Sequence, residues 1–75
     1  MIIFVTTCSH RSTHRAISKA LPFVRQEVYP LLFARRSLPR ATYIFSDFDR
    51  LNFWQLEYAA HLYRQLSAAG CRVLN

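Results

Sequence analysis

The sequence predicts an α/β domain built on a small, open, mostly parallel sheet of order 2-1-3-4, with helices on its faces. Three observations predict it. Two runs of apolar, β-branched and aromatic residues, Ile2 to Thr6 and Ala41 to Phe45, are each followed by a polar loop and then by a helical pattern. Continuous runs of this kind suit strands covered on both faces, as in parallel sheets. The chain also closes on a strand, an acidic loop, a long helix and a last strand, and such units wind right-handed between parallel neighbours.

Each element has its own signal. Ile2 to Thr6 forms the first strand, and Thr7 to Ser12 its polar exit loop. Ser12 or Thr13 caps a helix running from His14 to about Leu21. Ala16, Ile17, Ala20 and Leu21 give that helix an apolar stripe. Residues 23–29 lie between Pro22 and Pro30. They read either as a short second strand or as a helix continuing to Val28, and the strand is preferred because the segment ends in β-formers. Leu31 to Arg36 makes a short helix or turn, ended by Pro39. Ala41 to Phe45 is the third strand, and Ser46 to Leu51 its exit loop. Asn52 followed by Gln55 opens a helix through a capping box. Leu56, Ala59, Ala60, Tyr63 and Leu66 fall on one helix face, with Glu57, His61, Arg64 and Gln65 on another. Gly70, the single glycine, stands where a left-handed stop is wanted. Cys71 to Leu74 is the closing strand. The arrangement is Rossmann-like and incomplete at its C-terminus. Residues 1–75 are therefore expected to be one small domain, the N-terminal fragment of a larger protein.

Composition sharpens this expectation. A chain of 75 residues buries only ~60–65% of its unfolded surface, so its core is marginal. Yet 52% of the residues are hydrophobic and 15% aromatic. Part of that apolar surface, with Phe48, Phe53 and Trp54 beside a loop, is expected to meet a partner. The open last edge of the sheet offers a second route, a homodimer through the exposed strand. The net charge is +6 and comes mostly from arginine, which favours planar, bidentate contacts to phosphate or carboxylate. The basic residues are spread along the chain without a run of five, so nucleic acid is not an expected partner. Cys8 and Cys71 fit a reduced, cytoplasmic protein better than a disulfide scaffold. The apolar start is too short for a signal peptide, and no run approaches the ~20 residues of a membrane span.

Two loops carry the candidate chemistry, because ligands of parallel sheets bind at the carboxyl ends of strands. Thr6, Thr7 and His10 follow the first strand, with Cys8 and Ser9 among them. Ser46, Asp47, Asp49 and Arg50 follow the third. The first loop lacks glycine, so it matches neither a dinucleotide fingerprint nor a P-loop. The acids of the second loop suit a hard cation, but they equally suit a helix start, and two acids do not complete a metal site. Cys8 and His10 have no second pair to complete zinc. His10 and His14 are four apart and share a helix face only if the first helix starts early. Neither a catalytic residue nor a metal site is therefore expected in this chain.

Three stretches add a resemblance: Leu38 to Leu51 with its Tyr-Ile-Phe-Ser-Asp-Phe-Asp block, Trp54 to Leu66, and Ala69 to Asn75 with Gly-Cys-Arg-Val-Leu-Asn. Together they resemble the amino-terminal, pre-ATP-grasp region of an ATP-grasp-like protein family. The resemblance implies ATP-dependent carboxylate–amine or carboxylate–thiol ligation through an acyl-phosphate in the full-length protein. It implies ATP and magnesium as cofactors, held by a C-terminal ATP-grasp domain beyond Asn75, and a substrate-side role for this domain, which would be inactive alone. A small basic module that binds nucleic acid or an acidic partner is the competing expectation.

Overall fold

The computed structural model describes residues 1–75, the side chain of Thr13 excepted. The strands are β1 (Ile2–Thr6), β2 (Val24–Val28), β3 (Thr42–Phe45) and β4 (Val73–Leu74). The helices are α1 (Arg11–Ala20), α2 (Tyr29–Ala34) and α3 (Phe53–Ala68). All pairings are parallel, in the order β2-β1-β3-β4. The segment between the two prolines is thus a strand, and it registers Ile2 of β1 against Val24.

The period of two sorts the sheet into faces. Ile3, Val5, Tyr43 and Phe45 are fully or almost fully buried on one face. Leu32 of α2 and Ala59, Leu62 and Leu66 of α3 join them in the core. Each such large side chain contributes roughly 1.5–3 kcal/mol on leaving water. Ile2, Phe4 and Ile44, which alternate with them, are only half-buried. Phe4 meets the ring of His14 at 5.1 Å, so α1 covers this second face. Coverage of both faces is therefore full on one side and partial on the other, because a single ten-residue helix spans too little of the sheet.

Three expectations about the helices need correction. α1 begins at Arg11, because a 3-10 turn over Cys8–His10 runs straight into it and His10 takes the capping position without a side-chain cap. Its apolar stripe does not face the sheet: Ala16, Ile17 and Ala20 are exposed, whereas His14 and Ser18 are half-buried. On α3 the buried residues are Ala59, Leu62 and Leu66, while Leu56 and Tyr63 remain 40% and 38% exposed.

The local signals at the ends of α3 hold. The Gln55 amide donates to the Asn52 side chain, and the Asn52 amide donates to the Gln55 side chain, which completes the capping box. Gly70 has φ 89°, a conformation open to glycine and strained for other residues. Pro30 sits in the first turn of α2, where its missing N–H costs no helical bond. Among the described residues, no helix is long and apolar enough to cross a membrane.

Candidate functional site at the ends of β1 and β3

The chain leaves β1 toward β2 on one side and β3 toward β4 on the other. The winding therefore reverses between β1 and β3, and at such a switch point the exit loops part to leave a crevice. Residues from both candidate loops meet there.

Asp47 is the centre of this meeting. Its backbone is left-handed, with φ 60° and ψ 32°. A short polar side chain tolerates that region, which costs most other residues about 1–2 kcal/mol. One carboxylate oxygen, Oδ2, accepts the Thr7 amide at 3.1 Å and the Thr7 hydroxyl at 3.2 Å. The other, Oδ1, accepts His10 Nδ1 at 2.9 Å and lies 3.8 Å from His14 Nε2. The Asp47 side chain is 10% exposed, against 29% for His10 and 24% for His14. Burial pushes the Asp47 carboxyl up, but the hydrogen bonds from His10 and Thr7 outweigh it and hold the carboxyl below its usual range. It is therefore a carboxylate at neutral pH, and His10 is the donor in their contact.

Ser46 fixes the end of β3 to that of β1. Its amide donates to the Val5 carbonyl at 3.0 Å and its hydroxyl to the same oxygen at 2.6 Å. The hydroxyl of buried Tyr29 donates to the Ser46 carbonyl. Burial, aided by the nearby Asp47 charge, raises the Tyr29 hydroxyl well above its ordinary value. Tyr29 thus stays a neutral donor across the physiological range. Thr6 is fully buried and accepts a long 3.5 Å contact from Gln26, so it belongs to the core more than to the crevice.

Asp49 and Arg50 lie apart from this network. Both are exposed on a 3-10 turn over Phe48–Arg50. Arg50 lines a cavity of about 210 Å³ together with Thr7, Ser9, Tyr29 and Gln55. The structure thus joins Thr7, His10 and Asp47 directly, ties Ser46 to the Val5 carbonyl and Tyr29 beside them, puts Arg50 in the lining of the neighbouring cavity, and leaves Asp49 outside. His14 was not among the expected site residues. Its signal was the four-residue spacing from His10 on a helix that follows the strand next to the Asp47 loop.

ATP and magnesium do not fit these residues. The β1 exit loop, Thr7 to Ser12, contains no glycine, and among the described residues the positive-φ positions are Asp47 and Gly70, so backbone there is not free to approach a pyrophosphate. The cluster at Asp47 offers two imidazole nitrogens beside one carboxylate, where magnesium wants an octahedral oxygen set.

Larger cavities lie elsewhere. One of about 460 Å³ is apolar and runs along α3 beside β4, between Phe48, Leu56, Ala60, Tyr63 and Asn75. Another of about 420 Å³ gathers Arg11, Arg15, Lys19 and Arg25, residues that are scattered in the sequence, into one basic groove. Compared with known proteins, the chain matches no family model, no curated protein and no solved structure.

Proposed function

We propose that the chain is a substrate-side domain of the pre-ATP-grasp type, serving an ATP-dependent ligase that joins a carboxylate to an amine or thiol, and inactive by itself. The observation that supports this most is the convergence of the β1 and β3 loops on one crevice, with Arg50, Thr7 and Ser9 lining one cavity. Arg50 offers a bidentate cation for a substrate carboxylate or phosphate, and the Ser9 hydroxyl lines the same cavity. In this reading ATP and magnesium are held by an ATP-grasp domain that follows Asn75. The outer surface of α3 is the docking face for that domain: Phe53 and Trp54 are 67% and 78% exposed, and the apolar cavity continues the patch. A second copy adding to the free β4 edge is the alternative partner. We place the domain in the cytoplasm, where the free thiols of Cys8 and Cys71 stay reduced.

The genomic reading frame past Asn75 tests this reading. It is expected to continue into a lysine-bearing strand and acidic metal ligands. A stop codon directly after Asn75 would refute it.

The basic groove favours a second reading, a module for a phosphate-rich or acidic partner. Binding to single-stranded RNA or DNA that strengthens steeply as salt falls would support it. No binding at low salt removes it.

A further inference from the structure

We propose that His10, His14 and Asp47 form a binding site for a borderline transition-metal dication of the zinc class. This site does not depend on the ligase-domain reading. His10, His14 and Asp47 each bring one ligand atom to a common point, and these atoms lie within 4.8 Å of one another. Two of the separations are 2.9 Å and 3.8 Å, from Asp47 Oδ1 to His10 Nδ1 and to His14 Nε2. Ligands at zinc bond lengths of 2.0–2.1 Å stand about 3.3 Å apart in a tetrahedron. The observed separations straddle that value, so small side-chain movements seat the ion, which replaces the His10–Asp47 hydrogen bond as His10 Nδ1 gives up its proton to solvent.

The donor set identifies the class. Two imidazoles and one carboxylate suit zinc and its neighbours and disfavour magnesium or calcium. Three protein ligands leave the fourth position to water, the arrangement of an open zinc site.

Two independent features show a built site. The Asp47 oxygen that points away from the histidines is held by both the amide and the hydroxyl of Thr7. Supporting bonds of this kind fix a ligating carboxylate. In addition, α1 turns His14 toward the sheet and leaves Ala16, Ile17 and Ala20 outside, against the ordinary preference for burying an apolar stripe. The partial exposure of both imidazoles gives the ion a path from solvent.

The test uses the untagged, chelator-treated full chain. Zinc is titrated by calorimetry, with cobalt(II) absorption as the coordination readout and long-range histidine ¹⁵N spectra as the site readout. We expect saturation at one zinc per chain, shifts of the His10 and His14 ring nitrogens, and none at His61. His10→Gln and His14→Gln should each lose roughly tenfold or more in affinity, whereas His61→Gln and Cys8→Ser should bind as the parent does. Failure to saturate, binding that survives both of the first two substitutions, or loss of binding in Cys8→Ser would overturn the proposal. The ring-nitrogen spectra of the unsubstituted chain decide the matter should a variant fail to fold.

Discussion

Replacing Asp47 with Asn isolates the charge at the crevice. Asn tolerates the left-handed backbone nearly as Asp does, so the φ of 60° adds no penalty of its own. The contacts at stake are the Thr7 amide, the Thr7 hydroxyl and His10 Nδ1. A bond to a charged group exceeds a neutral one by about 1 kcal/mol. Three such differences set an upper limit of about 3 kcal/mol, which the partial exposure of His10 reduces to about 2 kcal/mol. For a domain of this size each kcal/mol moves the melting temperature by roughly 4–8 °C, so a fall of about 8–16 °C is expected. The assay is thermal unfolding followed by circular dichroism at pH 7 in metal-free buffer. The same comparison at low pH supplies the sign. The folded carboxyl is held below its ordinary value of 3.8, so its stabilisation is present above about pH 4 and is lost as pH falls through the lowered folded value. The gap between parent and variant should therefore close in acid. A shift of less than ~2 °C at pH 7, or a gap that persists undiminished in strong acid, would refute the reasoning.

Tyr29 governs the alkaline arm. Its folded pKa is raised above the ordinary value of 10.0, so its contribution is full below pH 10 and is lost as pH rises beyond it. Tyr29→Phe should unfold more easily at pH 7 by about 1–3 kcal/mol, since the Ser46 carbonyl loses its donor, and should show a weaker loss of stability above pH 10 in urea titrations. Gly70→Ala should cost about 1–2 kcal/mol through its positive φ; its added methyl would also stand 3.1 Å from Arg40 Nη2. An unchanged urea midpoint would contradict this. Asn52→Ala removes the capping box and should cost about 1 kcal/mol, read by the same denaturation. A value near zero would mean that α3 is held by its buried stripe alone.

Much of the fold was legible because its strongest signals are local. The β1 run Ile2 to Thr6 and the β3 run Thr42 to Phe45 declare themselves by composition, and their exit loops by polarity. Asn52, Gln55 and Gly70 mark the ends of α3 through side-chain and backbone chemistry that acts within a few residues. Where the decision was tertiary, the sequence was ambiguous or misleading. The capping signal at Ser12 and Thr13 misplaced the start of α1, because a 3-10 turn delivers the chain into the helix at Arg11. Its stripe of Ala16, Ile17 and Ala20 pointed to a buried face that the structure leaves open. On α3, aromatic and apolar residues lie all around the helix, so periodicity alone did not single out Ala59, Leu62 and Leu66. The site was half legible for the same reason. Thr7, His10, Ser46 and Asp47 were visible as two loops, but their meeting depends on β1 and β3 being neighbours. His14 joins them only once α1 begins at Arg11.

The central place of β1 has a consequence for how the chain acquires its structure. Ile2 registers with both Val24 and Thr42, and Tyr43 registers with Val73. No strand pairs through a hairpin, so every ladder closes a long loop before it yields contacts. Such topologies fold slowly for their size. During synthesis one edge of β1 stays open until Phe45 has been made, because its β3 partner lies later in the chain than its β2 partner. Its other edge is covered by β2, and α1 packs on the same pair, so the β1–α1–β2 unit shields the strand before β3 is available.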